Sequence, residues 1–133
     1  MSKIPDNLRP DTWHKYFAIE ANNSAWALSE SLVDISLQTE VLDAAHAAAW
    51  HWRVVGQEIN HMRSMMLLAL VHARMNMGPS AWAYAERMRM YFTEKSDTPD
   101  WELAFTHTVH ALAARAFGKT AEFQASHQAA IQS

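Results

Sequence analysis

Scarcity of turn-making residues constrains this chain most. Its 133 residues include only three glycines and four prolines, far below the roughly 12% of average usage. A chain with so few places to reverse direction must run in long regular segments. Alanine, leucine and methionine together far outnumber valine and isoleucine. The first three lose little rotamer freedom in a helix, whereas β-branched side chains lose more. No stretch alternates with period two for long. The expectation is an all-α fold.

The turn residues divide the chain into about six helices. Pro10-Asp11-Thr12 opens a first helix running to about Ser31, with Trp13, Phe17, Trp26 and Leu28 as its apolar positions. The polar stretch Ser36 to Thr39 reads as a link before a second helix over about 40–54. There Leu42, Ala45, Ala49 and Trp52 fall at three- and four-residue spacing. Gly56 ends it, in the left-handed conformation that glycine adopts at no steric cost. A third helix covers about 58–77, with Met62, Met66, Ala69 and Ala73 as its core stripe. Gly78-Pro79 reads as a cap followed by a helix start. The fourth helix, about 79–94, buries Ala81, Ala85, Met88 and Phe92. Thr98 suits an N-cap and Pro99 a first turn for the fifth helix. Asp100 and Glu102 favour the positive end of its dipole. Gly118 ends that helix, and a sixth covers about 119–131.

Helices three to six read as two hairpins. Sliding the chain by 40 residues lays Gly78 on Gly118, Ala73 on Ala113 and Ala81 on Ala121. A period in that range suggests a helical solenoid in which each hairpin buries its apolar face on the next. A single helical-repeat domain over 1–133 follows.

Composition removes whole classes of function. Lys+Arg 11 against Asp+Glu 14 gives a net charge of −3, which speaks against a nucleic-acid binder. Without cysteine there are no disulfides, thiol catalysis or Cys-ligated zinc. No apolar run reaches the ~20 residues of a membrane-spanning helix. The opening residues carry no apolar signal core, so a cytoplasmic location is expected. Serine-nucleophile, phosphate-loop and dinucleotide motifs are absent. The chain is expected to be no enzyme and to need no cofactor.

The run Ala44-Ala45-His46 to Trp50-His51-Trp52 and Gly56 resembles a family of uncharacterised bacterial proteins with tetratricopeptide-like helices. Asn60, Arg63, Leu67-Leu68-Ala69, Val71-His72-Ala73 and Gly78 extend the resemblance, as do Tyr84-Ala85 and Pro99 to Phe105 with His107. It implies stacked antiparallel helical hairpins and brings no activity with it. His51-Trp52-x-Val54-x-Gly56 followed by His61 is also similar to the ferroxidase segment of mini-ferritins. The carboxylates iron needs there are missing: Met62 to Leu68 offers none.

One polar set deserves mapping. If the third and fifth helices lie side by side, Arg63 bridges to Asp100 or Glu102, with Asn60 capping or pairing nearby. This is either a ligand pocket or an ion pair that fixes register. The helix face opposite the Met62 stripe carries Asn60, Ser64, Leu67, Val71 and Arg74. Its counterparts 40 residues on are Asp100, Ala104, His107, Ala111 and Ala114. Such a mixed face suits a peptide-binding groove. The expected partner-binding residues are therefore Asn60, Arg63, Leu67, Arg74, Asp100, Glu102, His107 and His110. The alternative is a small-molecule or metal-binding bundle using His107, His110, Arg63 and Glu102. No HExxH or comparable ligand motif supports a metal. Trp50, Trp52 and Trp101 are expected in the core, as are Met62, Met65 and Met66. Homodimerisation through any exposed Trp or Met is a further expectation.

Overall fold

The computed structural model describes residues 3–30 and 34–132. It is all-helical among the described residues. In chain order the elements are α1 (Pro10–Leu28), α2 (Ile35–Val55), α3 (Glu58–Arg74), α4 (Gly78–Glu94), α5 (Asp100–Ala116) and α6 (Thr120–Gln132). Contacts divide the chain into two compact units, Met1–Leu67 and Leu68–Ser133, with the boundary inside α3.

In the first unit α1 packs against α2. Small side chains make the interface. Ala18 and Ala25 of α1 are fully buried, as are Val41, Ala45 and Ala48 of α2. Their three-, four- and seven-residue spacings put each set on one helix face. Interfaces built on alanine bring backbones close and leave little room for rings. Trp50 is accordingly 55% exposed and Phe17 45%, and Trp52 is half-buried. The expectation of Trp50 in the core is thereby corrected.

Helix α2 begins at Ile35, so the polar stretch Ser36 to Thr39 is helical rather than a link. The cause is Asp34, an N-cap whose carboxylate accepts from the Ser36 backbone N–H and hydroxyl. Those two donors hold the Asp34 carboxyl below its ordinary pKa. At the other end Gly56 has φ −84° and ψ 170°, which is extended and not left-handed. Glycine is needed there for a different reason. A Cβ would lie 2.6 Å from the Trp52 carbonyl oxygen and 2.9 Å from the Trp52 ring.

Helix α3 is buried without interruption from Ser64 to His72. Its polar side chains stay satisfied by bonding back to their own helix. Ser64 Oγ donates to the Asn60 carbonyl, and His72 Nδ1 lies 2.7 Å from the Leu68 carbonyl.

The second unit packs α4 on α5 and α5 on α6. Ala81, Ala85, Met88 and Phe92 form the buried face of α4, matching the stripe read from sequence. Helix α5 buries Glu102, Thr106, Val109, His110, Ala111, Ala113 and Ala114. Trp101 is 66% exposed, against the expectation that it is core. Thr98 is not the N-cap of α5; Pro99 holds that position without a side-chain bond. The Thr98 hydroxyl instead donates back to the Phe92 carbonyl.

A repeat is present, but its step is 42 residues rather than 40. Helix α3 starts at 58 and α5 at 100; α4 starts at 78 and α6 at 120. The backbone bonds that close α3 recur at this step. Met75 N to Val71 O, Asn76 N to Ala73 O and Met77 N to His72 O match Phe117 N to Ala113 O, Gly118 N to Arg115 O and Lys119 N to Ala114 O. Asn76 (φ 57°) and Gly118 (φ 72°) are the matching left-handed residues. Even the side-chain bond Ser64 Oγ to Asn60 O has its counterpart, Thr106 Oγ1 to Glu102 O. The step exceeds the ~34 residues of the tetratricopeptide unit.

Gly78 and Gly118 are not equivalent positions, and the two glycines do different work. Gly118 supplies a positive φ after a helix. Gly78 is the first residue of α4 and is buried against the end of α5. A Cβ on it would sit 2.6 Å from the Ala116 carbonyl oxygen and 2.9 Å from the Phe117 Cα.

Candidate functional site

The candidate site is built on the last turns of α3 and α5, within the second unit. A cavity of about 400 Å³ is lined by Ala73, Arg74, Asn76, Leu112, Arg115 and Ala116. The repeat explains its composition. Ala73 and Arg74 stand one 42-residue step before Arg115 and Ala116, so two equivalent helix ends each contribute an arginine and an alanine. Asn76 enters because it is the left-handed residue that ends α3. Arg74 and Arg115 are both exposed. Cations are favoured at helix C-termini, where the last carbonyls carry partial negative charge. Each guanidinium carries five N–H donors in a planar fork. A second cavity, of about 280 Å³, lies between residues 3–7 and α1 in the first unit.

Arg115 continues toward α6, its guanidinium 5.9 Å from the Phe123 ring centroid. Lys119 lies 5.3 Å from the Phe117 ring and 6.0 Å from that of Trp82. Aromatic rings thus lie beside the positive charges of Arg115 and Lys119.

The histidines of α5 do something else. His110 is 2% exposed. Its Nε2 lies 2.5 Å from Glu86 Oε1 of α4, and its Nδ1 lies 2.5 Å from Ser126 Oγ of α6. The carboxylate only accepts, so Nε2 carries the proton. Nδ1 is then bare and accepts from the serine hydroxyl. Burial, with the positive charge of Arg89 acting the same way, pulls the His110 pKa down; Glu86 opposes this in part. The imidazole is therefore neutral at pH 7. Trp82 lies over it, 4.8 Å between centroids. The Arg89 guanidinium reaches Glu86 at 3.8 Å.

This Ser–His–Glu chain has the proton order of a catalytic relay, but its surroundings suit a lock. Ser126 is 6% exposed and sits mid-helix, where backbone N–H groups bond within α6 and do not face an oxyanion. One imidazole ties three consecutive helices together.

The eight residues expected to bind a partner fall in both units. Asn60, Arg63 and Leu67 belong to the first unit, and Arg74, Asp100, Glu102, His107 and His110 to the second. Asn60 is a capping residue: its Oδ1 accepts from the Gln57 backbone N–H at the start of α3. Arg63 and Asp100 are exposed, and His107 is half-buried. Leu67, Glu102 and His110 are buried, as are Ser64 and Val71. The face of α3 read as a groove is therefore not an open surface at its centre. A partner docking on the outside reaches neither Leu67 nor His110. Arg74 is the one member of the set that lines the cavity. Arg115 and Asn76 escaped the sequence reading: at the 42-residue step Arg115 matches Ala73, which reads as a core position, and Asn76 matches Gly118.

His110 does not serve as a metal ligand either, since both ring nitrogens are engaged. Among the described residues no group of three or more His, Cys, Asp or Glu side chains is placed to hold a metal. No described helix is long and apolar enough to cross a membrane. Comparison with family models, curated proteins and solved structures returns no match.

Proposed function

We propose that this chain is a non-enzymatic binding module that seats an acidic segment of a partner protein at the Arg74–Arg115 cavity. The observation that carries the reading is the cavity itself, with two guanidiniums from equivalent helix ends bordering one concave space of about 400 Å³. Arginine meets a carboxylate through two parallel hydrogen bonds, which adds orientation to charge. The molecule as a whole is negative, so a local positive site steers an acidic segment there and repels it elsewhere. Repeated helical hairpins commonly present such extended binding surfaces.

The test is fluorescence anisotropy with a labelled glutamate-rich decapeptide, set against a lysine-rich peptide of equal length. The acidic peptide should bind, weaken as salt rises, and lose about tenfold or more in affinity with Arg74→Met/Arg115→Met. Each lost charged hydrogen bond is worth roughly 1.5–3 kcal/mol. Equal binding of the acidic peptide by a folded double variant would remove the cavity from the proposal.

A further inference from the structure

His14 of α1 and His51 of α2 face each other across the hairpin of the first unit. Their Nδ1 atoms are 2.8 Å apart. Both rings are half-buried, within reach of solvent. Aromatic side chains hold them in place. The Trp50 ring lies 5.3 Å from each, and the Phe17 ring 5.9 Å from His51.

We infer that His14 and His51 form a two-imidazole chelate for a divalent late transition-metal ion, Cu(II) above all. Metal–imidazole bonds are about 2.0–2.1 Å long, so two nitrogens at a right angle about the metal stand about 2.9 Å apart. A tetrahedral angle needs about 3.3 Å. The observed separation is close to the first value, and right-angled coordination by nitrogen and oxygen is the preference of Cu(II) and Ni(II). Cu(II) also stands highest in the affinity order of first-row divalent ions.

The protonation states allow it. In the metal-free pair one Nδ1 donates a hydrogen to the other. Moving that proton to the Nε2 of the same ring frees a second lone pair without changing net charge. Each ring then turns on its side-chain bonds to aim its lone pair at a shared point beside the present N···N line. The protein supplies two ligands, and water fills the remaining positions. Hard cations have no claim on the pair, because they require oxygen ligands. The site is independent of the arginine cavity.

The full chain is titrated with Cu(II), reading tryptophan fluorescence and the electron paramagnetic resonance spectrum. One equivalent should bind, quench Trp50 and show coupling to two imidazole nitrogens. His14→Asn and His51→Asn should each weaken binding about tenfold or more, while His46→Asn, on the same helix as His51, leaves it unchanged. Trp50→Phe should remove most of the quenching without changing affinity. Wild-type affinity in a folded His14→Asn protein overturns the assignment. Should either histidine variant lose its helical circular dichroism, the wild-type spectrum decides: coupling to fewer than two imidazole nitrogens overturns it equally.

Discussion

At the scale of single residues, the three glycines separate two physical demands that look alike in a sequence. Gly118 needs only a left-handed backbone, and nothing lies within 4 Å of a Cβ placed there. Its counterpart one repeat earlier is Asn76, with nearly the same φ. Gly118→Asn should therefore cost under about 1 kcal/mol, since asparagine tolerates that conformation best among the larger residues. Gly78→Ala meets backbone atoms of α5 that cannot swing aside. It should cost about 3 kcal/mol, the upper part of the overpacking range. Urea denaturation of the two variants checks the contrast; equal midpoints would refute it. Proton placement at His110 gives a second residue-scale prediction. Glu86→Gln retains an oxygen that accepts from Nε2–H and should be mild. Ser126→Ala leaves buried Nδ1 without its donor and should cost roughly 1–3 kcal/mol. Nitrogen NMR of the His110 ring should report the Nε2–H tautomer; the opposite tautomer would reverse this assignment.

At the scale of elements, alanine decides which side chains go where. The α1–α2 pair meets through Ala18, Ala25, Ala45 and Ala48, all fully buried. Enlarging one of them forces the helices apart. Ala25→Leu should lower stability by about 1–3 kcal/mol, seen as a lower thermal midpoint with helicity retained at low temperature. The same close approach explains why Trp50 lies outside, where a core position was expected. Helix starts were legible where proline marks them, at Pro10 and, one residue off, at Asp100. They were less legible at Ile35, where Asp34 extends α2 through residues whose composition resembles a linker. The site was legible in one part, Arg74. Arg115 and Asn76 became visible only where the two helix ends meet around the cavity.

At the scale of the whole molecule, pH should reveal the wholly or partly buried imidazoles. Burial is the first cause of lowered pKa values at His51, His107 and His110. Between those lowered values and the ordinary histidine value near 6.5, the unfolded chain binds more protons than the folded one. Stability therefore rises with pH through that window. The thermal midpoint should fall as pH drops from 7 to 5 and stay level from 7 to 8. His110→Gln should flatten part of the slope. An unchanged midpoint across pH 5–7 would mean that these rings charge as freely in the folded chain as in the unfolded one.

What the chain's composition determined by itself is the helical class, the number of helices and most of their ends. Those follow from local energetics: few turn formers, many residues that lose little entropy in a helix, and caps whose bonds reach no further than a few positions. Tertiary structure alone decided the burial of the α3 face and the outward position of Trp50 and Trp101. It also set the partners of His110 and the meeting of His14 with His51. Each of these depends on how closely two backbones approach and which side chains then share the space. Residues far apart in sequence set that distance jointly, and no local pattern records it.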